Sequence, residues 1–252
     1  MHDDISKKYL TVVMPAYNEG NCIRKNLLCT AGVIEKFAPD YNIIAVNDGS
    51  TDDTLEEIES ACKINSNIKC ISYDKNAGKG NAIKKGFMAA DSEYIAYLDS
   101  DLELSPEMLE KYLVSIKNEN ADIVIGSKMH KDSEVNYPVV RKLLSFGYYI
   151  YLRMLFRLKL KDVQTGIKLF KAEKIKPIMQ ELDTEGFAFD IEILARASDM
   201  GYKIIEMPVK LNYSRNEEGS KSKISVRVIF NMFTDAIKIK RKIKRQRKNT
   251  EY

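Results

Sequence analysis

Short apolar runs alternate with helical spacings along this chain, and the joints between them are rich in Gly, Asn, Asp and Ser. No other feature constrains the fold as tightly. Leu10-Thr11-Val12-Val13-Met14-Pro15 reads as a buried strand that ends where Pro15 removes a ladder donor. Ile23, Leu27, Ala31 and Ile34 then share one face of a helix within residues 21–37. Tyr41 to Val46 is the next apolar run, and Thr51-Asp52-Asp53-Thr54 supplies an N-cap and first-turn acids for a helix through Cys62. Ile68 to Tyr73 reads as strand, Gly80 to Ala90 as helix, and Glu93 to Leu98 and Asp122 to Gly126 as two more strands. Repeated strand–helix units predict an α/β fold, a mostly parallel sheet flanked by helices on both faces. A length of 252 residues fits one large domain of this kind.

The second half is less regular. Leu143 to Leu160 has helical spacing and carries Tyr148, Tyr149, Tyr151 and Phe156 beside Arg153 and Arg157; it fits a core helix or a membrane-facing one equally. Gln164 to Phe170 reads as a short strand after a turn, Phe189 to Met200 as a helix, and Lys203 to Tyr213 as a strand in which Pro208 marks an edge or bulge. Ser225 to Lys248 reads as one amphipathic helix. Eight Lys or Arg and no acid lie between Lys238 and Lys248. The whole chain carries only +4, so the rest of it is mildly acidic.

Composition excludes several chemistries. The only histidines are His2 and His130, which leaves little room for a histidine base or nucleophile. Cys22, Cys29, Cys62 and Cys70 show no C-x-x-C spacing, so neither a zinc site nor a disulfide framework is expected and a reducing cytosol is the default. No apolar run reaches the length of a transmembrane helix, and residues 1–8 do not resemble a signal peptide.

The most telling chemistry sits at the end of the fourth strand. Asp99-Ser100-Asp101-Leu102-Glu103 sets carboxylates at alternate positions directly after Tyr94-Ile95-Ala96-Tyr97-Leu98. Ligands bind at the carboxyl ends of strands in open α/β sheets. Carboxylates spaced this way repel one another unless a cation joins them. Mg²⁺ and Mn²⁺ favour oxygen ligands, and Mg²⁺ is usually held by one or two carboxylates plus substrate phosphates. One reading is a divalent ion clamping a diphosphate; the other is an acidic turn that caps the helix starting near Pro106.

Three further loops follow the first three strands: Pro15-Ala16-Tyr17-Asn18-Glu19, Val46-Asn47-Asp48-Gly49-Ser50-Thr51-Asp52-Asp53-Thr54, and Asn76-Ala77-Gly78-Lys79-Gly80-Asn81-Ala82. With the acidic loop, all four fall on one edge of a parallel sheet. In order and spacing they resemble the N-terminal half of family 2 glycosyltransferases of the GT-A fold. The resemblance implies a nucleoside diphosphate sugar in this crevice. It places Pro15, Ala16, Tyr17 and Glu19 around base and ribose, and Asp48 on the base. Gly78 and Gly80 permit close backbone approach, and Lys79 meets phosphate. Asp99, with Ser100, contacts the ribose and sugar side, while Asp101 and Glu103 hold Mg²⁺ or Mn²⁺.

An ordered series in the second half resembles the polyprenyl-phosphate hexosyltransferases, the dolichyl-phosphate β-glucosyltransferases and mannose synthases. It runs Asp122 to Lys128, Arg141 to Ser145, Gln164 to Phe170, Phe187 to Leu194 and Glu218 to Lys221. The F-A-F-D-x-E and G-S-K elements lean to the glucosyl branch. Three departures stand out: Lys128 where Arg is common, Glu103 where mannose synthases often have Gln, and the lack of the transmembrane helices many relatives carry. A lipid phosphate is ionised near neutral pH and is its own nucleophile, so it needs cations rather than a base. Lys128, Arg141, Arg215 and Lys221 are the candidates, with Ser145 beside them, and Asp190 and Glu192 either orient those cations or support a helix.

The resulting expectation has catalysis carried by Asp99, Asp101 and Arg141. The reaction is inverting, metal-dependent transfer of a hexose, from UDP-glucose first and GDP-mannose second, to a polyprenyl or dolichyl phosphate. The alternatives are a family 2 enzyme acting on a saccharide or other hydroxyl acceptor, and a binding-only relative at the membrane. Residues 1–222 are expected to form the GT-A domain and residues 223–252 a membrane-association segment that the catalytic core does not need. Val226, Ile229, Phe230, Phe233 and Ile237 would give its apolar face, lying on anionic lipid. That puts the protein at the cytoplasmic face of a membrane, peripherally, with no nucleic-acid partner.

Overall fold

The computed structural model describes residues 7–135, 139–156, 158–184, 186, 188–211 and 226–250, and gives the backbone course alone for 139–146, 226–232 and 246–250. The elements run β1 (Lys8–Ala16), α1 (Ile23–Ile34), β2 (Tyr41–Asp48), α2 (Thr54–Ile64), β3 (Ile68–Tyr73), α3 (Lys79–Ala89), β4 (Ser92–Leu98) and α4 (Met108–Asn118). Then come β5 (Ile123–Ser127), α5 (Val139–Phe156), β6 (Ile167–Lys171), α6 (Ala172–Glu181), α7 (Phe189–Asp199), β7 (Ile204–Pro208) and α8 (Val226–Thr250).

One seven-stranded sheet has the order β3-β2-β1-β4-β6-β5-β7. Every pairing is parallel except those of β6, which is antiparallel to both β4 and β5. The expected mostly parallel sheet is what forms. Strand order reverses between β1 and β4, which makes their carboxyl ends a topological switch point, the place where such sheets bind ligands. Pro15 does not end β1. Pairing with β2 continues to Ala16, while pairing with β4 stops at Val13, so the missing donor faces no partner.

Alternating side chains of β1 feed two cores. Val13 joins α3, α6 and α7 on one face; Leu10, Val12 and Met14 join α1 and α4 on the other. β2 is buried along its whole length, as a central strand covered on both faces should be. The edge strand β7 ends at Pro208, where the missing donor is harmless.

Part of α8 packs on the core. Phe233 packs on Tyr148 and Tyr151 of α5, with ring centroids 5.2 and 4.5 Å away. Ala236 and Ile239 are buried in the core, and Ile243 packs against it. Of the expected lipid-facing side, Phe233 therefore packs on protein while Ile237 is 39% exposed, and Ile239 of the segment 238–252 is part of the core. Val226, Ile229 and Phe230 lie where only the backbone is described. α5 has two sides: Tyr148 and Leu152 are buried, while Ile150 and Met154 face out, Met154 with 71% exposure.

Candidate active site

The first two strand-end loops are stapled together. The Asn18 N–H donates to Ser50 Oγ at 3.0 Å, and Asn18 Oδ1 accepts from the Thr51 N–H at 2.9 Å. Asn18 holds φ at 55°, a left-handed conformation that Asn tolerates. The Glu19 N–H donates to Thr54 Oγ1 and the Gly20 N–H to Asp52 Oδ2. Of the residues expected around base and ribose, Tyr17 is exposed and Glu19 half-buried. Pro15 and Ala16 are buried in β1.

Asp48, expected on the base, is hydrogen-bonded within the protein. Its Oδ1 accepts from the Tyr73 hydroxyl at 2.6 Å and the Ala77 N–H at 2.9 Å; its Oδ2 accepts from Asn76 Nδ2 and the Gly78 N–H, both at 3.0 Å. A carboxylate has about four lone-pair sites, and Tyr73 at the end of β3 and the third loop fill them. Burial first, and then the Asp48 carboxylate, push the Tyr73 phenol up, so it remains the donor. Asp48 thus organises the loop carrying Gly78 and Lys79, and a base N–H would have to displace one of these bonds. Gly78 caps α3 with φ at 91°, which costs glycine little and a residue with a Cβ much more.

Lys79 opens α3 and reaches across to β4, where its Nζ lies 2.5 Å from Asp99 Oδ1. Burial alone would lower the Lys79 pKa, but Asp99, Asp190 and Asp101 outweigh it and push it up. The acidic loop turns sharply behind Asp99. Leu102 holds φ at 52°, uncommon for a residue with a side chain, and the Glu103 N–H donates to Asp101 Oδ1 at 3.1 Å. Asn26 of α1 anchors the loop by donating to the Ser100 carbonyl at 2.8 Å, and Ser100 itself is buried.

Directly behind Asp99 lies a cluster that the sequence did not reveal. Lys168, fully buried in β6, donates from Nζ to Asp190 Oδ1 at 2.7 Å, to the Tyr97 hydroxyl oxygen at 2.6 Å and to the Thr165 carbonyl at 2.8 Å. The Tyr97 hydroxyl in turn donates to Asp190. Burial pushes the Lys168 pKa down and the Asp190 pKa up; in each case the partner's charge opposes the shift without cancelling it. A lysine inside the run Gly166-Ile167-Lys168-Leu169-Phe170, in a strand with both faces covered, was the available signal.

The acceptor-side residues are spread more widely. Lys128 follows β5 on the same edge of the sheet. Its N–H donates to Asp162 Oδ2 at 2.9 Å, and its Nζ lies 3.8 Å from the same oxygen. Arg141 and Ser145 sit on α5 where the backbone alone is described, and Arg215 and Lys221 lie outside the described residues. Asp190 and Glu192 are both buried on α7, Asp190 toward Lys168 and Glu192 toward Arg196 and Lys242.

For a divalent ion the donor chemistry fits, with a condition. Among the described residues no three His, Cys, Asp or Glu side chains stand together as a ready-made cage. Asp99 is engaged by Lys79, and Asp101 and Glu103 are the other carboxylates of the loop. Mg²⁺ commonly takes one or two carboxylates and completes its shell with phosphate oxygens and water, so such a pair suits an ion that arrives with a diphosphate.

Loops at the switch point of an open α/β sheet are where such sheets bind ligands. Comparison with known proteins defines the chain further. The family model for glycosyl transferase family 2 matches residues 11–180. A dolichyl-phosphate beta-glucosyltransferase of Trichomonas vaginalis is 35% identical over 245 residues, covering 94% of this chain and 74% of that protein. The dolichyl-phosphate beta-glucosyltransferase of Saccharomyces cerevisiae is 29% identical over 244 residues, covering 89% and 72%. Among solved structures, glucosyl-3-phosphoglycerate synthase from Mycobacterium tuberculosis, in complex with Mn²⁺, UDP and glucosyl-3-phosphoglycerate, superimposes with a TM-score of 0.66 at 19% identity, over 92% of this chain and 78% of that one. That likeness speaks for the fold. The chain belongs to glycosyl transferase family 2 and is a glycosyltransferase.

Proposed function

We propose that this enzyme transfers glucose from UDP-glucose to a polyprenyl or dolichyl phosphate, with inversion and with Mg²⁺ or Mn²⁺. The names of the relatives support acceptor and sugar. The observation that carries the reading is the Lys79–Asp99 pair, 2.5 Å apart at the α3 N-terminus and beside Asp101 and Glu103. One edge then offers a cation and a helix N-terminus to phosphate oxygens, and carboxylates to a metal ion and to sugar hydroxyls.

The chemistry needs little else. A phosphate oxygen of the lipid attacks the anomeric carbon as the bond from that carbon to the diphosphate oxygen breaks, and the diphosphate leaves with the bonding electrons. No proton has to be removed from an ionised phosphate, consistent with a site without histidine. Asp101 and Glu103 would hold the ion, which supplies charge neutralisation at the leaving diphosphate. Lys79 exchanges Asp99 for a diphosphate oxygen, and the Asp99 carboxylate so released takes sugar hydroxyls. Lys128, Arg141, Arg215 and Lys221, with Ser145, hold the acceptor phosphate. GDP-mannose is the second donor candidate.

The membrane is reached through α8 and α5. Phe233, Ala236 and Ile239 of α8 turn inward, while Ile237, Lys238, Lys240, Arg241, Lys244 and Arg245 face out, as do Ile150 and Met154 of α5. Each Lys or Arg at an anionic surface adds about 1 kcal/mol. Among the described residues no helix is long and apolar enough to cross a membrane. A donor panel tests the reading: purified protein, Mn²⁺, a short polyprenyl phosphate, and UDP-glucose against GDP-mannose. The expected product is a β-linked glucosyl phospholipid from UDP-glucose. Transfer only to hydroxyl acceptors would replace this reading with the other one the sequence allowed.

A further inference from the structure

The Lys168–Asp190–Tyr97 cluster is almost wholly buried and has no place in the transfer chemistry above, yet it lies one residue pair behind the reacting edge. Tyr97 and Lys168 are cross-strand partners in the antiparallel β4–β6 pair, and Leu98 and Ile167 are the next pair out. Beyond them the Asp99 N–H donates to the Gly166 carbonyl at 2.9 Å. Asp99 also lies flat on Gly166: a Cβ built on that glycine would stand 2.1 Å from Asp99 Oδ2 and 2.5 Å from its Cγ. The turn at Thr165-Gly166 is thus the bed on which the Asp99 carboxylate rests.

Lys168 holds that bed from beneath. Its ammonium binds the Thr165 carbonyl, the Tyr97 hydroxyl two residues before Asp99, and the Asp190 carboxylate of α7. All three donors of an ammonium are used. Asp190 acts on the other partner of the reacting pair as well, since its charge is among those that favour the charged form of Lys79. Two cations and two carboxylates form one set, with Lys79 and Asp99 at the open end and Lys168 and Asp190 at the closed end.

We propose that Lys168, Asp190 and Tyr97 are positioning residues for the transfer reaction: they fix the Thr165-Gly166 turn and so hold Asp99 and Lys79 in register for the donor. The proposal rests on the reading of this edge as the donor site. It goes beyond that reading by giving the buried set a catalytic consequence without contact with substrate. Displacement of a reacting group by about 1 Å costs on the order of 100-fold in rate, so a bed of this kind is felt in turnover before it is felt in binding.

The test uses the full-length protein and the double substitution Lys168→Met/Asp190→Asn. Removing both charges together avoids leaving either one buried alone, and such paired replacement is often neutral for stability. Four quantities are read: thermal midpoint, kcat and KM for UDP-glucose with a short polyprenyl phosphate, Mn²⁺·UDP affinity by calorimetry, and the Lys79 ammonium signal by ¹⁵N NMR. The expected result is a midpoint near that of the parent, kcat lowered about 100-fold, KM and UDP affinity within about threefold, and a displaced Lys79 signal. Retained turnover with an unmoved Lys79 signal would overturn the proposal. The NMR signal needs no substrate, so it decides the matter even if the parent protein proves to use another donor or acceptor. Should the double variant fail to fold, Tyr97→Phe keeps both charges and removes only the hydroxyl. It is expected to lower kcat about tenfold at unchanged KM, and parental turnover there would overturn the proposal too.

Discussion

Asp190 and Glu192 stand two residues apart on α7, both buried and both paired with cations, and their acidities move in opposite directions. Residues two apart on a helix point to different sides. Asp190, almost wholly buried, meets one ammonium and one hydroxyl, and burial wins, pushing its pKa up. For Glu192 burial again raises the pKa. Thr184, Arg196 and Lys242 outweigh it: the Thr184 N–H and hydroxyl bind Oε2, while Arg196 (3.0 and 2.8 Å) and Lys242 (3.1 Å) bind Oε1. The number of donors around a carboxylate, more than its depth, decides which form is favoured. The Glu192 side is a clasp that fastens α8 to the core. The Asp190 side is a sparsely compensated charge pair kept behind the reacting edge.

The largest expected effect breaks the Asp190 side. Lys168→Met alone leaves a buried carboxylate without its cation, which should cost about 3–5 kcal/mol of stability. Urea denaturation measures it, and a loss below about 1 kcal/mol would mean that Asp190 does not depend on Lys168. Next is the clasp. Deleting residues 238–252 removes the buried Ile239 and the half-buried Lys242. Burial of one such apolar side chain is worth about 1.5–3 kcal/mol, so a lower melting midpoint is expected, together with loss of binding to anionic vesicles. An unchanged midpoint would restore the view of this segment as a pure appendage.

Glu192→Gln should cost less, about 1–2 kcal/mol, because Arg196 keeps Glu181 at 2.7 Å and Lys242 keeps Asp183. This variant also sharpens the comparison through pH. Glu192 has a folded pKa below its usual 4.5, so its contribution is present above that value and lost as pH falls through the folded pKa. Asp190, with a raised folded pKa, has the opposite sign: stability gains from its protonation as pH falls from the folded pKa toward 3.8. The difference in stability between the parent protein and Glu192→Gln should therefore shrink below about pH 4.5. A constant difference down to about pH 2 would remove Glu192 from the acid response.

Local signals were legible and distant ones were not. The strand-end loops could be read because apolar period, turn residues and helix caps all lie within a few positions of one another, as at Tyr41 to Thr54. α6 gave no such signal; Pro177 interrupts it, and its lysines mask the buried Ile175, Ile178 and Met179. The partners of Lys168 stand 22 and 71 positions away, so its role needs the folded sheet. The same holds for Asp48, whose four partners come from the end of β3 and the third loop. The apolar stripe of α8 has the spacing of a membrane-lying helix and of a core-packed one alike, and only Tyr148 and Tyr151 decide which it is at Phe233.

The central claim is that the acidic end of β4 carries metal-assisted transfer of a hexose to a lipid phosphate. The most direct measurement is the mass of the lipid product formed from UDP-glucose and a short polyprenyl phosphate in Mn²⁺, by the parent protein and by Asp101→Ala. Loss of a direct metal ligand should remove several kcal/mol of transition-state stabilisation. The account predicts a lipid phosphate heavier by one hexose with the parent protein and none with Asp101→Ala, at equal thermal midpoints. A hexosylated lipid formed at parental rate by Asp101→Ala would contradict it.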